Sequence, residues 1–141
     1  MTRTSLMSGI ATLLLISNAC AALAGPRQDA VLASYAAAAA KVDASFRRPS
    51  AARGKAFFHA RHTGGKAETP ACTSCHTADP RRTGTTRAGK QIAPMAVSVN
   101  PHRFTDPAEV EKWFRRNCKD VVGRECSAAE KSDVIAYLTG E

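Results

Sequence analysis

Five residues in this chain have types and spacing that do specific chemistry: Cys72-Thr73-Ser74-Cys75-His76. Two thiols separated by two residues match the reach between the two vinyl groups of a haem, and each can add across one vinyl to form a thioether. The histidine that follows at once is then set beneath the iron as an axial ligand. A thioredoxin-like dithiol also uses C-x-x-C, but it needs a strand before the motif and a helix growing from it. Here the flanks are rich in Gly and Pro (Gly64, Gly65, Pro70, Pro80, Gly84). A zinc site needs a second pair of ligands at similar spacing, and Cys118 and Cys126 lie too far apart to supply it. The motif therefore predicts one covalently bound haem c, held by Cys72 and Cys75, with His76 on the iron.

Further residues bear on that site. Pro94 follows the motif in Ile92-Ala93-Pro94-Met95-Ala96, where its carbonyl is expected to accept a hydrogen bond from the proximal imidazole and so fix its orientation. The plainer reading is a loop proline. Met95 is the one methionine beyond residue 24 and is the candidate for a methionine ligand opposite His76, as in an electron-transfer cytochrome. If Pro94 packs on the proximal side, Met95 cannot also reach the distal side, and it is then a packing residue. Val110, Trp113, Phe114 and Asn117 recur at i, i+3, i+4 and i+7, one face of a helix. That face is expected to look inward, with Trp113 packing on a haem face or edge and Asn117 as the polar end of an apolar stripe. Two readings of Asn117 stand at this point: an asparagine capping local backbone at a helix end, or an amide reaching the iron or a ligand on it. His59, His62 and His102 read as surface histidines.

The elements that must position these groups are helices. Residues from about Gln28 to Val42 are alanine-rich, with Val31, Leu32 and Tyr35 as an apolar stripe. A second helix opens at Ser50 and runs to about His59, placing Gly54 and Phe58 on one face for a close helix crossing. Residues 60–90 read mostly as loop, a length that a haem would give something to wrap. A third helix starts at Asp106-Pro107, and a last one at the capping box Ser127-x-x-Glu130, with Val134, Ile135 and Leu138 inward and Gly140 at its end. No segment shows a strand alternation. The fold class expected is all-α, helices packed around one haem.

Residues 1–24 read as a signal peptide: Arg3, the apolar run Ile10–Ile16, and Ala22-Leu23-Ala24 before a cleavage after Ala24. Cys20 lacks the flanks of a lipobox. The domain is then 25–141, exported and periplasmic, with no membrane span. The formal charge of the 141-residue chain is +8, one unit lower without Arg3, which suits an acidic partner or simple solubility. Export and few aromatics argue against nucleic acid. In an oxidising compartment Cys118 and Cys126 are expected to close an eight-residue disulfide that holds Asn117 near a fixed position.

With these residues in hand the chain resembles SHP, the sphaeroides haem protein family of small oxygen-binding class I cytochromes c. The segments that carry the likeness include Arg53-Gly54-Lys55-Ala56-Phe57-Phe58, Gly89-Lys90-Gln91-Ile92-Ala93-Pro94, Arg103-Phe104-Thr105-Asp106, Val110-Glu111-Lys112-Trp113-Phe114, Arg116-Asn117-Cys118 and Gly123-Arg124-Glu125-Cys126. The resemblance implies the class I cytochrome c fold and a high-spin haem whose distal ligand is Asn117. It implies that this asparagine leaves on reduction and that dioxygen or nitric oxide takes its position. It also implies a diheme cytochrome c as electron donor, and a monomer or weak dimer. Methionine after Pro94, where the family has an aliphatic residue, keeps a His/Met electron-transfer cytochrome as the alternative.

Overall fold

The computed structural model describes residues 25–141, so the expected signal peptide and Cys20 lie outside the described residues. Helix α1, Pro26–Val42, begins two residues before the alanine-rich stretch because Pro26 occupies the first turn, where its missing N–H is no loss. Its inward side carries Val31 and Ala39, with Leu32 and Tyr35 at the edge of the core. Helix α2, Ala51–His59, opens where Ser50 accepts a hydrogen bond from the Arg53 N–H (3.3 Å). The stretch expected to be mostly loop holds a single helical turn, α3 (Thr73–His76), and a two-residue antiparallel ladder of β1 (Gly84–Thr85) and β2 (Gln91–Ile92). Strands this short have no core face, so no alternation marks them in the sequence.

Helix α4, Pro107–Val121, is capped by Asp106, whose carboxylate accepts from the Ala108 and Glu109 N–H groups (2.8 and 3.2 Å). Helix α5, Ala128–Thr139, carries the complete capping box: Ser127 Oγ accepts from the Glu130 N–H, and the Glu130 carboxylate accepts from the Ser127 N–H. Gly140 is its C-cap. Apart from the two-residue ladder, the regular structure of the described residues is all helical, as expected.

Helix α5 is the axis of the molecule and packs against both α1 and α2. At the α2 crossing a Cβ on Gly54 would fall onto the Asp133 carbonyl and within 2.9 Å of the Val134 nitrogen, so only glycine permits the approach. Phe58 fills the space beside it and meets Tyr137 edge-on, ring centres 5.8 Å apart. Asp133 fixes the register: it accepts from the Ser50 N–H (2.7 Å) and takes both prongs of the Arg53 guanidinium (2.6 and 2.8 Å). The core gathers Val31, Phe58, Val110, Ile135 and Leu138, with Met95 and Phe114 at its margin. Among the described residues no helix is long and apolar enough to cross a membrane.

Candidate functional site

The C-x-x-C-H segment is one helical turn. The Cys72 carbonyl accepts from the Cys75 and His76 N–H groups (3.3 and 3.1 Å), which brings the two thiols and the imidazole to one side of the chain. The turn stops at Thr77, held at a positive φ of 62° while its hydroxyl donates to the Asp79 carbonyl (2.7 Å). Gly84 lets β1 lie directly on this turn, because a Cβ there would overlap the Cys75 carbonyl.

Beside the turn is a cavity of about 890 Å³ whose exposed lining is mainly apolar. Cys72, Cys75 and His76 form one part of its wall, Phe58, Val134 and Leu138 another, and Val110, Trp113, Phe114 and Asn117 of α4 a third. Cys72 and Cys75 are free thiols, whereas Cys118 and Cys126 are joined in a disulfide with Cα atoms 5.6 Å apart. Burial, followed by the positive charge of Arg103, pushes the His76 imidazole down to about 4, so it is neutral at pH 7 and carries a lone pair for a metal. Burial pushes the Cys72 thiol up to about 11. His76 Nδ1 is buried with no hydrogen-bond partner. An apolar cavity, two unpaired thiols and a neutral, incompletely satisfied imidazole at its wall fit a covalently attached haem.

One expectation needs correction. The Pro94 carbonyl does not accept from His76: Asn100 Nδ2 (3.1 Å) and Arg103 Nε (2.9 Å) occupy it. A carbonyl oxygen has two lone pairs, and these two donors take both. Ala93 and Met95, on either side of Pro94, line the cavity, and Pro94 does not. Trp113 is not packed within the protein core but lines the cavity, the wall on which the expected contact with a haem would be made. It is 46% exposed at the cavity, donates through Nε1 to Glu109 (2.9 Å), and has the Lys112 and Arg116 cations 5.6 and 5.2 Å from its ring centre. The α4 stripe faces a cavity, so its outermost aromatic is left without protein neighbours on one side.

Asn117 lines the same cavity. Helix α4 continues four residues past it to Val121, so it is not at the helix end. Among the described residues, its amide makes no side-chain hydrogen bond with backbone. Behind it Cys118 is tied to Cys126, and Lys66 pairs with Asp120 (2.8 Å). Of the histidines read as surface residues, His59 lies 3.3 Å from the Tyr137 hydroxyl and His62 3.1 Å from the Phe57 carbonyl, both part-buried. His102 lines the cavity. Sequence reasoning gave no site role to Arg103 or to Phe104, which is buried at a positive φ of 59°. The signal was a cation beside an aromatic in the turn before the Asp106 cap.

One haem-attachment turn at the wall of an apolar cavity, in an all-α chain closed by crossing terminal helices, defines a monohaem cytochrome c. The chain is 51% identical over 122 residues to the cytochrome c-type protein SHP of Cereibacter sphaeroides, covering 85% of this chain and 89% of that one. It is 41% identical over 97 residues to cytochrome c'' of Methylophilus methylotrophus, 68% of this chain and 67% of that one. Residues 44–138 match a family described as a domain of unknown function, DUF1924. Among solved structures it is similar to oxidized SHP, described as an oxygen binding cytochrome c (TM-score 0.75, 48% identity, 81% of this chain and 96% of that one). It is also similar to oxidized cytochrome c'' (TM-score 0.69, 36% identity, 82% and 94%). This chain belongs to the SHP family of c-type cytochromes, and its cofactor is covalently bound haem c.

Proposed function

We propose that this chain is an exported, periplasmic, high-spin cytochrome c that binds a diatomic ligand, dioxygen or nitric oxide, when reduced. In this reading residues 1–24 are its signal peptide, cleaved after Ala24. Cys72 and Cys75 carry the haem through thioethers, His76 is the proximal ligand, and Asn117 is the distal ligand. The haem supplies an iron that changes oxidation state and offers a sixth position to a small molecule. Electrons come from a diheme cytochrome c.

The observation that carries the reading is Asn117 itself. It is a polar side chain on the cavity face of α4, mid-helix, with its amide uncommitted to backbone. An amide oxygen is a weak donor to iron, so a bond made through it is easily displaced. The same amide can donate an N–H to a diatomic guest. The disulfide at the next residue and the Lys66–Asp120 pair hold this part of α4, so the side chain moves about a fixed backbone. Phe114 and Val110 keep the neighbouring wall apolar and limit competing water. The oxygen-binding description of the SHP structure supports this reading. So does the account of haem-ligand detachment given for the solution structure of cytochrome c''.

Electron paramagnetic resonance of the ferric holoprotein tests it. A high-spin signal is expected, replaced by a nitrosyl signal after reduction and addition of nitric oxide. Asn117→Ala should keep the haem attached and change the ferric spectrum, and an unchanged spectrum removes Asn117 from the iron. The alternative is electron transfer with Met95 on iron, favoured by the place of Met95 on the cavity wall. It requires a low-spin ferric signal and the weak near-infrared band of methionine ligation.

A further inference from the structure

A helix leaves the carbonyls of its last turn without helical partners. In α4 one of these, the carbonyl of Asp120, is met by a distant segment. It accepts from the Lys66 N–H (2.7 Å) and from the Thr69 hydroxyl (3.4 Å). Gly65 lies flat on the same turn, since a Cβ there would overlap the Asp120 and Val121 carbonyls. Beside it Gly64 and Gly123 meet backbone to backbone. The segment is itself closed: the Thr69 N–H donates to the Lys66 carbonyl (3.0 Å) and the His62 N–H to the Pro70 carbonyl (2.6 Å). Thr69 is buried, and Cys72 follows three residues later. The Ala71 N–H donates to Ser74 Oγ (3.2 Å) inside the attachment turn. Residues 64–71 thus run from the end of α4 to the residue before Cys72.

Asp120 stands one turn after Asn117, at i+3, and both line the cavity. We propose that Gly65 and Thr69 are positioning residues for Asn117. They seat the end of α4 on the haem-attachment turn and so set how readily the amide leaves ferric iron. The inference rests on Asn117 being the distal ligand and on Cys72 carrying the haem, as in the function proposed above. Cys72 fixes the haem from one side, and the seat fixes Asn117 from the other. An amide oxygen is too weak a donor to pull a helix toward iron, so its bond depends on where the backbone holds it. The disulfide joins α4 to the segment before α5 and does not reach the attachment turn. The Lys66–Asp120 ion pair acts at the same place, but its half-exposed side chains leave most of the seating to the backbone contacts.

Ligand binding in two oxidation states separates this role from a general structural one. Cyanide entering the ferric holoprotein must displace Asn117, whereas carbon monoxide entering the ferrous holoprotein finds the amide already gone. Gly65→Ala should speed ferric cyanide binding by about 10-fold or more, because the added Cβ lifts the segment off α4. Thr69→Val keeps the side-chain shape and removes the hydroxyl. It should speed the same reaction by about 2- to 10-fold, the range for one lost hydrogen bond. Neither should alter the ferrous carbon monoxide rate. Gly54→Ala, which strains the α2–α5 crossing instead, should leave the ferric rate as it was. An unchanged cyanide rate in Thr69→Val overturns the proposal, even where Gly65→Ala fails to fold. So does an equal rise with carbon monoxide, or an equal ferric rise in Gly54→Ala. If Asn117→Ala itself leaves the cyanide rate unchanged, the distal-ligand reading is what fails.

Discussion

In the reading proposed above, a side chain of four heavy atoms, that of Asn117, separates a gas-binding cytochrome from an electron carrier. The competing ligand, Met95, gives a direct residue-scale prediction. Met95→Leu conserves volume in a partly buried site and should cost less than about 1.5 kcal/mol. It should leave the ferric absorption spectrum and its high-spin resonance as they were. Conversion of a low-spin to a high-spin signal in this variant would place Met95 on the iron. Covalently bound haem c was legible in the sequence, because thioether formation itself imposes the C-x-x-C-H spacing. The Pro94 carbonyl was not. Which donor claims it depends on Asn100 and Arg103, six and nine residues away, brought back by a turn that no local pattern announces. Asn117 lay between: spacing placed it on the right helix face, and only the length of α4 past it removed the capping alternative.

At the scale of elements, helix ends were legible because caps are local chemistry. Asp106-Pro107 and the Ser127–Glu130 box mark their helices in the sequence and in the fold alike. The β1–β2 ladder and the α3 turn were not, since each is too short to express a period. The Gly54–Phe58 spacing pointed to a close crossing, and the crossing with α5 gives a sharp test. Gly54→Ala drives a Cβ into the Asp133 backbone, which belongs to the most buried helix and cannot step aside. Overpacking of this kind should destabilise the holoprotein by about 3 kcal/mol, visible as a lower urea midpoint. A loss below about 0.5 kcal/mol would mean that the two helices can separate freely. The disulfide acts on a different element. Replacing Cys118 and Cys126 together by serine should cost about 2–3 kcal/mol for an eight-residue closure. It should also broaden the ferric resonance lines, because the turn that carries Asn117 loses its anchor. A destabilised variant with unchanged line shape would show that the disulfide stabilises the chain without ordering the iron's distal side.

Across the whole molecule, three helices distant in sequence meet at one carboxylate. Glu111 of α4 accepts from the Tyr35 hydroxyl of α1 (2.8 Å) and from Lys131 of α5 (3.0 and 2.8 Å), with Arg115 3.9 Å away. Lys131 also lies 5.5 Å from the Tyr35 ring centre. Nothing in the sequence pairs residues 76 positions apart, so this junction appears only once the helices are packed. Its consequence is a pH dependence of stability whose sign is fixed. Burial works to raise the Glu111 carboxyl, but hydrogen bonds from Lys131 and Tyr35, with the charges of Lys131 and Arg115, outweigh it and leave Glu111 below its ordinary 4.5. Hydrogen bonding from Arg124 holds Glu130 below 4.5 in the same way, against a smaller opposing effect of burial. In the unfolded chain both carboxyls return to ordinary values and take up protons first as the solution is acidified. The stability they contribute is therefore fully present above the ordinary glutamate range and is lost as pH falls through their depressed folded values. Urea midpoints of the holoprotein should change little on their account between pH 7 and pH 6 and fall below about pH 4.5. Glu111→Gln should lower the midpoint at pH 7 and flatten part of the acid fall, because the uncharged amide no longer differs in proton binding between the two states. An acid fall just as steep in Glu111→Gln as in the unaltered protein would show that this junction does not set the acid limit of the fold.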